Sequence, residues 1–503
     1  MFGLRPGLLM LGIFLVGGPA CAVDLSPARW DARDRSALER LEQAARPTAN
    51  RIVEGPHGLV AGTMSPIANR VGLEALAHGG TAADAATAVA FAQVSRALGS
   101  FVSYAGIAQI LYFDAQSGRV HALNAGWASY LGETDPKTIP GPTTPEAAGR
   151  KTMVPGFMAG IGALHQRFGA LPWANLLTPS IWYAEKGVPV SDRLAGYFRL
   201  RAKDFNRTAD GREFMRQAGA DAPKSGTMFV QPRLAETLHA VAQHGPAYMY
   251  TGAWAQHFVE TVRGAGGHAT LEDLARYQAT WEEPLSTTFA GHTIYAPGRA
   301  TEGGYQALAA LNLIEALKIE QMPPYWQEPD SFLALSRVLN ITDLPPRWML
   351  DRARQKGVDL ALDERAEKTF AATLAPLVKD FFARPQSAAT NPSAHTAGIV
   401  VIDRHGNVAA IVHSINSVLW GSTGLVVDGI PLSDPAAIAQ DALAALAPGA
   451  RVSDLMTPII ATRDGKPALA VAITGALHRE TVRIVVGLLG HQTDLVTLSL
   501  IHI

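Results

Sequence analysis

Thr396-Ala397-Gly398-Ile399-Val400-Val401-Ile402-Asp403, then Arg404-His405-Gly406-Asn407, then Val408-Ala409-Ala410-Ile411-Val412-His413-Ser414 is the stretch that decides how this chain folds. Two apolar, largely β-branched runs flank a short glycine-containing link, which is the pattern of a β-hairpin. A three-residue loop with Gly406 in the left-handed position pairs Asp403 with Asn407 and, counted outward, Thr396 with Ser414. Directly opposed residues lie roughly 4.5 to 5.5 Å apart at Cβ, so the two hydroxyls come within reach of each other. A two-residue turn would slip the register by one and separate them. Asn416 follows two residues after Ser414 and is expected on the same face of a continuing strand.

Just upstream, Pro385 to His395 is a run of small and polar residues with no helical or strand pattern. On pattern alone Thr396 reads as an ordinary first strand residue. The chemical alternative is self-processing: the Thr396 hydroxyl attacks the carbonyl of His395, the resulting ester is hydrolysed, and Thr396 becomes a new N-terminus. Its α-amine would titrate near the usual value of about 7.7 to 8.0, so nucleophile and general base would come from one residue. Ser414 would orient the hydroxyl, and backbone N–H groups elsewhere would hold the oxyanion.

Across 503 residues, 43 Lys and Arg stand against 44 Asp and Glu, a balance without the footprint of a nucleic-acid binder. Met1 to Ala22 has a single cation at Arg5, an apolar stretch from Leu8 to Val16, the breaker Gly17-Gly18-Pro19, and then Ala20-Cys21-Ala22. That reads as a signal peptide, residues 1–22, with export to the periplasm or exterior and no membrane association after its removal. An uncleaved anchor and a lipid-modified Cys21 are the alternatives. Cys21 is the single cysteine, so the mature chain is expected to hold no disulfide, thiol nucleophile or cysteine metal site.

Val71 to Val94 reads as two Ala-dense helices punctuated by Gly79-Gly80, with Thr81 capping the second. Ile107 to Phe113 and Arg119 to Leu123 read as a hairpin. Pro155 to Leu317 is mostly helical, including Ala174 to Lys186 and Leu271 to Tyr277, with a strand at His292 to Tyr295 and a helix at Tyr305 to Leu317. Asp359 to Phe382 is a further helix. There is no G-x-S-x-G elbow, H-E-x-x-H motif, calcium loop or kinase motif set.

The chain resembles the γ-glutamyltransferase-like members of the N-terminal nucleophile hydrolases from Gly58 to Gly490. In that family the nucleophilic Thr stands seven residues before an Asp followed by x-x-G-N, the spacing kept by Thr396, Asp403, Gly406 and Asn407. Further matches are Gly79 to Ala86, Val154-Pro155-Gly156, Gly303-Gly304, Met456-Thr457-Pro458 and Asp464-Gly465-Lys466. The resemblance implies an α+β, four-layer αββα sandwich with two stacked, mainly antiparallel sheets. It implies autocleavage between His395 and Thr396, giving a large region 23–395 and a small region 396–503 that pair as a heterodimer within one domain. It also implies Thr396 as nucleophile, Ser414 as the second hydroxyl, and the segment around Gly475 and Ala476 at the oxyanion. Asn416, Asp434 and Asp454 fall at substrate-binding offsets. The implied substrate is a small-molecule amide or peptide, γ-glutamyl or related, with no cofactor and no metal.

Three departures go with it. The family's carboxylate-clamping Arg belongs in R-E-x-A-P, where this chain has Leu123-Asn124-Ala125-Gly126-Trp127. The family's Ser-Ser pair is replaced by Asp454-Leu455, and its Gly-Gly oxyanion segment by Thr474-Gly475-Ala476. Past Gly490 the sequence leaves the family pattern, so the small region is expected to be incomplete. A different amide is therefore expected as substrate, and an inactive exported binding protein is the alternative. His413 reads as a satisfied strand histidine or a base, His405 as a turn residue, Arg299 as a surface residue or substitute anion binder, and Trp127 and Trp420 as core or pocket wall.

Overall fold

The structure, a computed structural model, describes residues 23–43, 52–216, 222–298, 301–343, 355, 366–382, 396–475, 478–495 and 497–498. The expectations for 1–22, Arg299, His395 and Ala476, and for 359–365 of the helix expected at Asp359 to Phe382, lie outside the described residues.

The hairpin forms as its turn chemistry dictates. Strands β8 (Ala397–Asp403) and β9 (Val408–Ser414) pair antiparallel with Ile402 opposite Val408 and Ala397 opposite His413. Gly406 has φ +85°, and its N–H donates to Asp403 O at 3.0 Å, while Asp403 N–H donates to Asn407 O at 3.1 Å. The three-residue loop is therefore realised, and the same register carried one step outward sets Thr396 opposite Ser414.

This hairpin is the centre of a seven-stranded sheet. Its other strands are β1 (Ile52–Gly55), β2 (Gly58–Gly62), β3 (Ile107–Asp114), β4 (Arg119–Ala125) and β5 (Thr280–Glu282), in the order β1-β2-β8-β9-β3-β4-β5. The two strands that follow Thr396 thus lie side by side between strands that precede it. A second sheet runs β11-β10-β7-β6, from β6 (Leu285–Phe289), β7 (His292–Ala296), β10 (Ile459–Arg463) and β11 (Lys466–Val471).

Period-two alternation assigns the faces. Ile399, Val401, Ala409 and Ile411 join the core formed with helices α2 (Pro66–Ala77), α3 (Ala82–Arg96), α4 (Phe157–Phe168) and α5 (Trp173–Lys186). Val400, Val408 and Ala410 point the other way and pack with Ile460 between the sheets. The far face of the second sheet, through Ile294, Ile459 and Ala461, packs on helices α6 (Glu302–Leu317), α7 (Pro329–Asp343), α8 (Lys368–Phe382) and α9 (His478–Val485). Helices, sheet, sheet, helices make the expected αββα sandwich.

Helix α3 is buried along its whole length, which its run of alanines permits by letting neighbours approach closely. Thr81 caps it in a reciprocal box with Asp84, as expected. Two expectations shift: α6 begins three residues before Tyr305, and strands β5 and β6 interrupt the segment read as helical. Both strands are short and lie on sheet edges, where periodicity is weak.

Candidate active site

The hairpin turn is fixed from beneath by Asp403. Its Oδ1 accepts from the N–H of His405 at 2.8 Å and of Asn407 at 3.1 Å. Its Oδ2 accepts from Asn407 Nδ2 at 2.8 Å and from the N–H of Ala82 at 2.9 Å, in the first turn of α3. A carboxylate at a helix N-terminus is favoured by the orphan N–H groups and dipole there. Asn407 completes the motif by accepting from Ala115 N–H at 2.9 Å. The D-x-x-G-N spacing is therefore a device that locks strand register to the helix layer.

At the other end of β8, Thr396 is 1% exposed. Its Oγ1 donates to Ile473 O at 3.2 Å, and its N–H donates to Thr474 Oγ1 at 3.3 Å. The Thr474 hydroxyl in turn donates to Thr396 O, so one side chain bridges both backbone groups of Thr396. Gly398 allows this closeness: a Cβ there would sit 2.2 Å from Ala472 O. Gly398 O accepts from Thr63 N–H at 3.1 Å and from Gln93 Nε2 at 3.4 Å. Thr396, Thr474, Thr63 and Gln93 all line a cavity of about 260 Å³. Ser414 Oγ accepts from Asn416 N–H at 2.9 Å.

Asn416 departs from the expectation of a continuing strand. β9 ends at Ser414, and Asn416 takes φ +46°, with Leu419 and Trp420 also left-handed at +47° and +62°. The chain turns here instead of extending. Asp434 is buried and pins that turn, accepting from Ser422 N–H at 2.8 Å, Ser422 Oγ at 2.6 Å, and the Ser417 hydroxyl.

Asp454 lies elsewhere, on the inter-sheet face of β3. Its Oδ2 accepts from Gln109 Nε2 at 2.7 Å, and the same amide donates to Asn124 Oδ1 at 3.2 Å. Its Oδ1 accepts from Met456 N–H at 2.9 Å. Burial pushes its carboxyl up to about 6, against the pull of Gln109, Met456 and Arg451. The sequence positions Asn124 and Asp454 are thus brought together, but Asp454 is not among the residues lining the Thr396 cavity. Gly475 follows Thr474 with φ +97°.

His413 is a core histidine with a partner at one ring nitrogen, its Nδ1 being buried without one. Its Nε2 lies 2.7 Å from Gln93 Oε1, its ring stacks on Phe157, and burial pushes it down to about 3. Trp420 is also core, stacked on Phe198 with its Nε1 donating to Leu98 O at 2.7 Å, and Trp127 is buried beside Ile107 and Met456. His405 sits in the turn. Thr63 and Gln93 carried no expected role, and Thr474 was expected only within the segment at the oxyanion. Gln93 alone left a signal, as a long polar side chain in an Ala-dense buried helix. Among the described residues no cluster of His, Cys, Asp and Glu is arranged to hold a metal, and no helix is long and apolar enough to cross a membrane.

A family model described as Gamma-glutamyltranspeptidase matches residues 68–490. The chain is 29% identical over 353 residues to the glutathione hydrolase proenzyme of Pseudomonas aeruginosa, covering 64% of this chain and 59% of that one. It is 27% identical over 465 residues to the Acylase ACY 1 proenzyme of Pseudomonas sp. strain SE83, covering 88% and 81%. It thus spans under two thirds of the first relative's length and most of the second's. Among solved structures, the cephalosporin acylase from Bacillus halodurans shares the fold with TM-score 0.68 at 23% identity, covering 85% of this chain and 79% of the other. The gamma-glutamyltranspeptidase from Pseudomonas nitroreducens, with TM-score 0.50 and 25% identity, covers 67% and 96%.

Proposed function

The chain belongs to the gamma-glutamyltranspeptidase family, and on that premise we propose that it is an exported precursor that cleaves itself between His395 and Thr396. Thr396 then acts as the N-terminal nucleophile of an amidohydrolase or acyltransferase. The observation that supports this reading is the hairpin register, which carried one step outward sets Thr396 opposite Ser414, with Thr396 lining a cavity. In turnover the Thr396 hydroxyl adds to an amide carbonyl, its proton passes to the freed α-amine, and the leaving amine departs with that proton. Water or a second amine then takes the acyl group from the ester. Gly475 and Ala476 are the proposed oxyanion segment, and Asn416 and Asp434 the proposed shapers of the substrate side. The regions 23–395 and 396–503 would stay joined after cleavage, since β8 pairs with β2 and β9 with β3.

Denaturing electrophoresis with mass spectrometry tests the reading. Two fragments are expected, the smaller beginning at Thr396, and Thr396→Ala should remain one chain. A wild-type chain that stays whole, or a fragment starting elsewhere, would sink it.

The Asp454 cluster favours a second reading as well. An amide-satisfied acid stands where the family's serines would meet a carboxylate, which suits either a different amide or an inactive binding protein. Turnover of any member of a panel of γ-glutamyl and simple acyl anilides by the cleaved chain excludes the binding protein.

A further inference from the structure

Helix α1 (Ala32–Gln43) has no buried residue, yet the side chain of Glu42 at its end is only 15% exposed. Its carboxylate accepts from Arg96 Nε at 2.7 Å and from Ser65 Oγ at 2.7 Å. Both partners are built into the body of the protein. Ser65 caps α2, its Oγ accepting from Ala68 N–H at 3.1 Å, and Arg96 is the last residue of α3. An anion at one helix N-terminus and a cation at another's C-terminus are each where the dipoles favour them. The Arg96 side chain is 4% exposed, with its guanidinium 4.5 Å from the centre of the Tyr183 ring. Its Nη1 is buried and has no hydrogen-bond partner.

Two helix ends and a guanidinium with a spare N–H edge thus converge on one carboxylate, and only the carboxylate comes from a peripheral helix. Glu42, Ser65 and Arg96 line the same cavity as Gln93, Thr474 and Thr396. Gln93 and Arg96 lie on one face of α3, a turn apart, and Gln93 reaches the carbonyl of Gly398, two residues from Thr396. A plain anchor for α1 would need only one of these contacts.

We propose that Arg96 and Ser65 form an anion subsite of the Thr396 cleft, that Glu42 occupies it in the resting chain, and that a ligand carboxylate enters by displacing Glu42. The inference rests on the reading of that cleft as the substrate site. It places recognition of the carboxylate away from the Asn124 and Asp454 positions. Glu42 is then a tethered competitor, and an affinity measured with it in place is lowered by the fraction of time that it is seated.

Calorimetric titration of glutarate into the full chain, with neutral glutaramide as control, tests this without turnover. Glu42→Gln, which keeps shape and a hydrogen-bond acceptor, should bind glutarate about tenfold tighter than wild type, as expected for a plug seated nine-tenths of the time. The double variant Glu42→Gln with Arg96→Met leaves no buried charge unpaired and should fall to the glutaramide level. In the wild-type chain, where no variant has to fold, glutarate and not glutaramide should speed tryptic cleavage at the exposed Arg40 of α1. Unchanged or weaker glutarate binding in Glu42→Gln, or an unchanged cleavage rate at Arg40, would reduce the pair to a pin for α1 and overturn the subsite. Tighter binding in a chain that never cleaves or turns over would instead remove the nucleophile reading and leave the subsite standing.

Discussion

Two regions of the seven-stranded sheet behave differently. At the hairpin, a local motif fixes everything within reach: Asp403 and Asn407 lock the turn, and the register delivers Thr396 opposite Ser414 at the far end. Two strands away, Asn124, Gln109 and Asp454 form a cluster in which the protein's own amides donate to the buried acid. The first region keeps the spacing expected from the resemblance, while the second holds an internally bonded acid where that resemblance places serines. Positions held by turn chemistry tolerate little change. A contact assembled from three distant segments can be rewritten one side chain at a time.

The comparison breaks first at its strong end. Asp403→Ala strands three backbone N–H donors and an amide, so urea denaturation at pH 7 should show a loss on the order of 3 kcal/mol. A loss below about 1 kcal/mol would mean that the strands alone hold the turn. Gly398→Ala is next, because its methyl would meet Ala472 O at 2.2 Å. The sheets must part locally, costing about 1 to 3 kcal/mol in a thermal melt and slowing the proposed cleavage, since Ile473 and Thr474 carry the partners of Thr396. Normal stability and cleavage in that variant would show that this approach is not needed.

The smallest effect sharpens the other end. Asp454 titrates at about 6 in the folded chain against an ordinary 3.8, so the folded state binds the proton more tightly. Its contribution is fully present below the unfolded value and is lost as pH rises through the folded one. Asp454→Asn should therefore raise the melting temperature at pH 7 to 8 and change it little near pH 4. A variant destabilised equally at both pH values would show that the carboxylate is held for its hydrogen bonds and not at a cost.

Much of the fold was legible. The turn glycine, the Thr81 cap on α3 and the β3-β4 hairpin all follow from local rules that act over a few residues. Asn416 was misplaced because a left-handed residue after a strand leaves no periodic trace. Thr474, Thr63 and Gln93 were invisible as partners of the Thr396 strand, since each comes from a segment far away in sequence and is polar in a way any surface residue could be.

Local rules acting on the chain predict the hairpin, and with a three-residue turn they predict the register in which Ala397 faces His413. Only the tertiary structure decided what surrounds Thr396: the Thr474 bridge, the Gln93 contact and the Glu42 carboxylate held by Arg96 and Ser65. Those contacts join segments tens to hundreds of residues apart, where no periodicity or spacing links one residue to the next, and packing alone selects which of them meet.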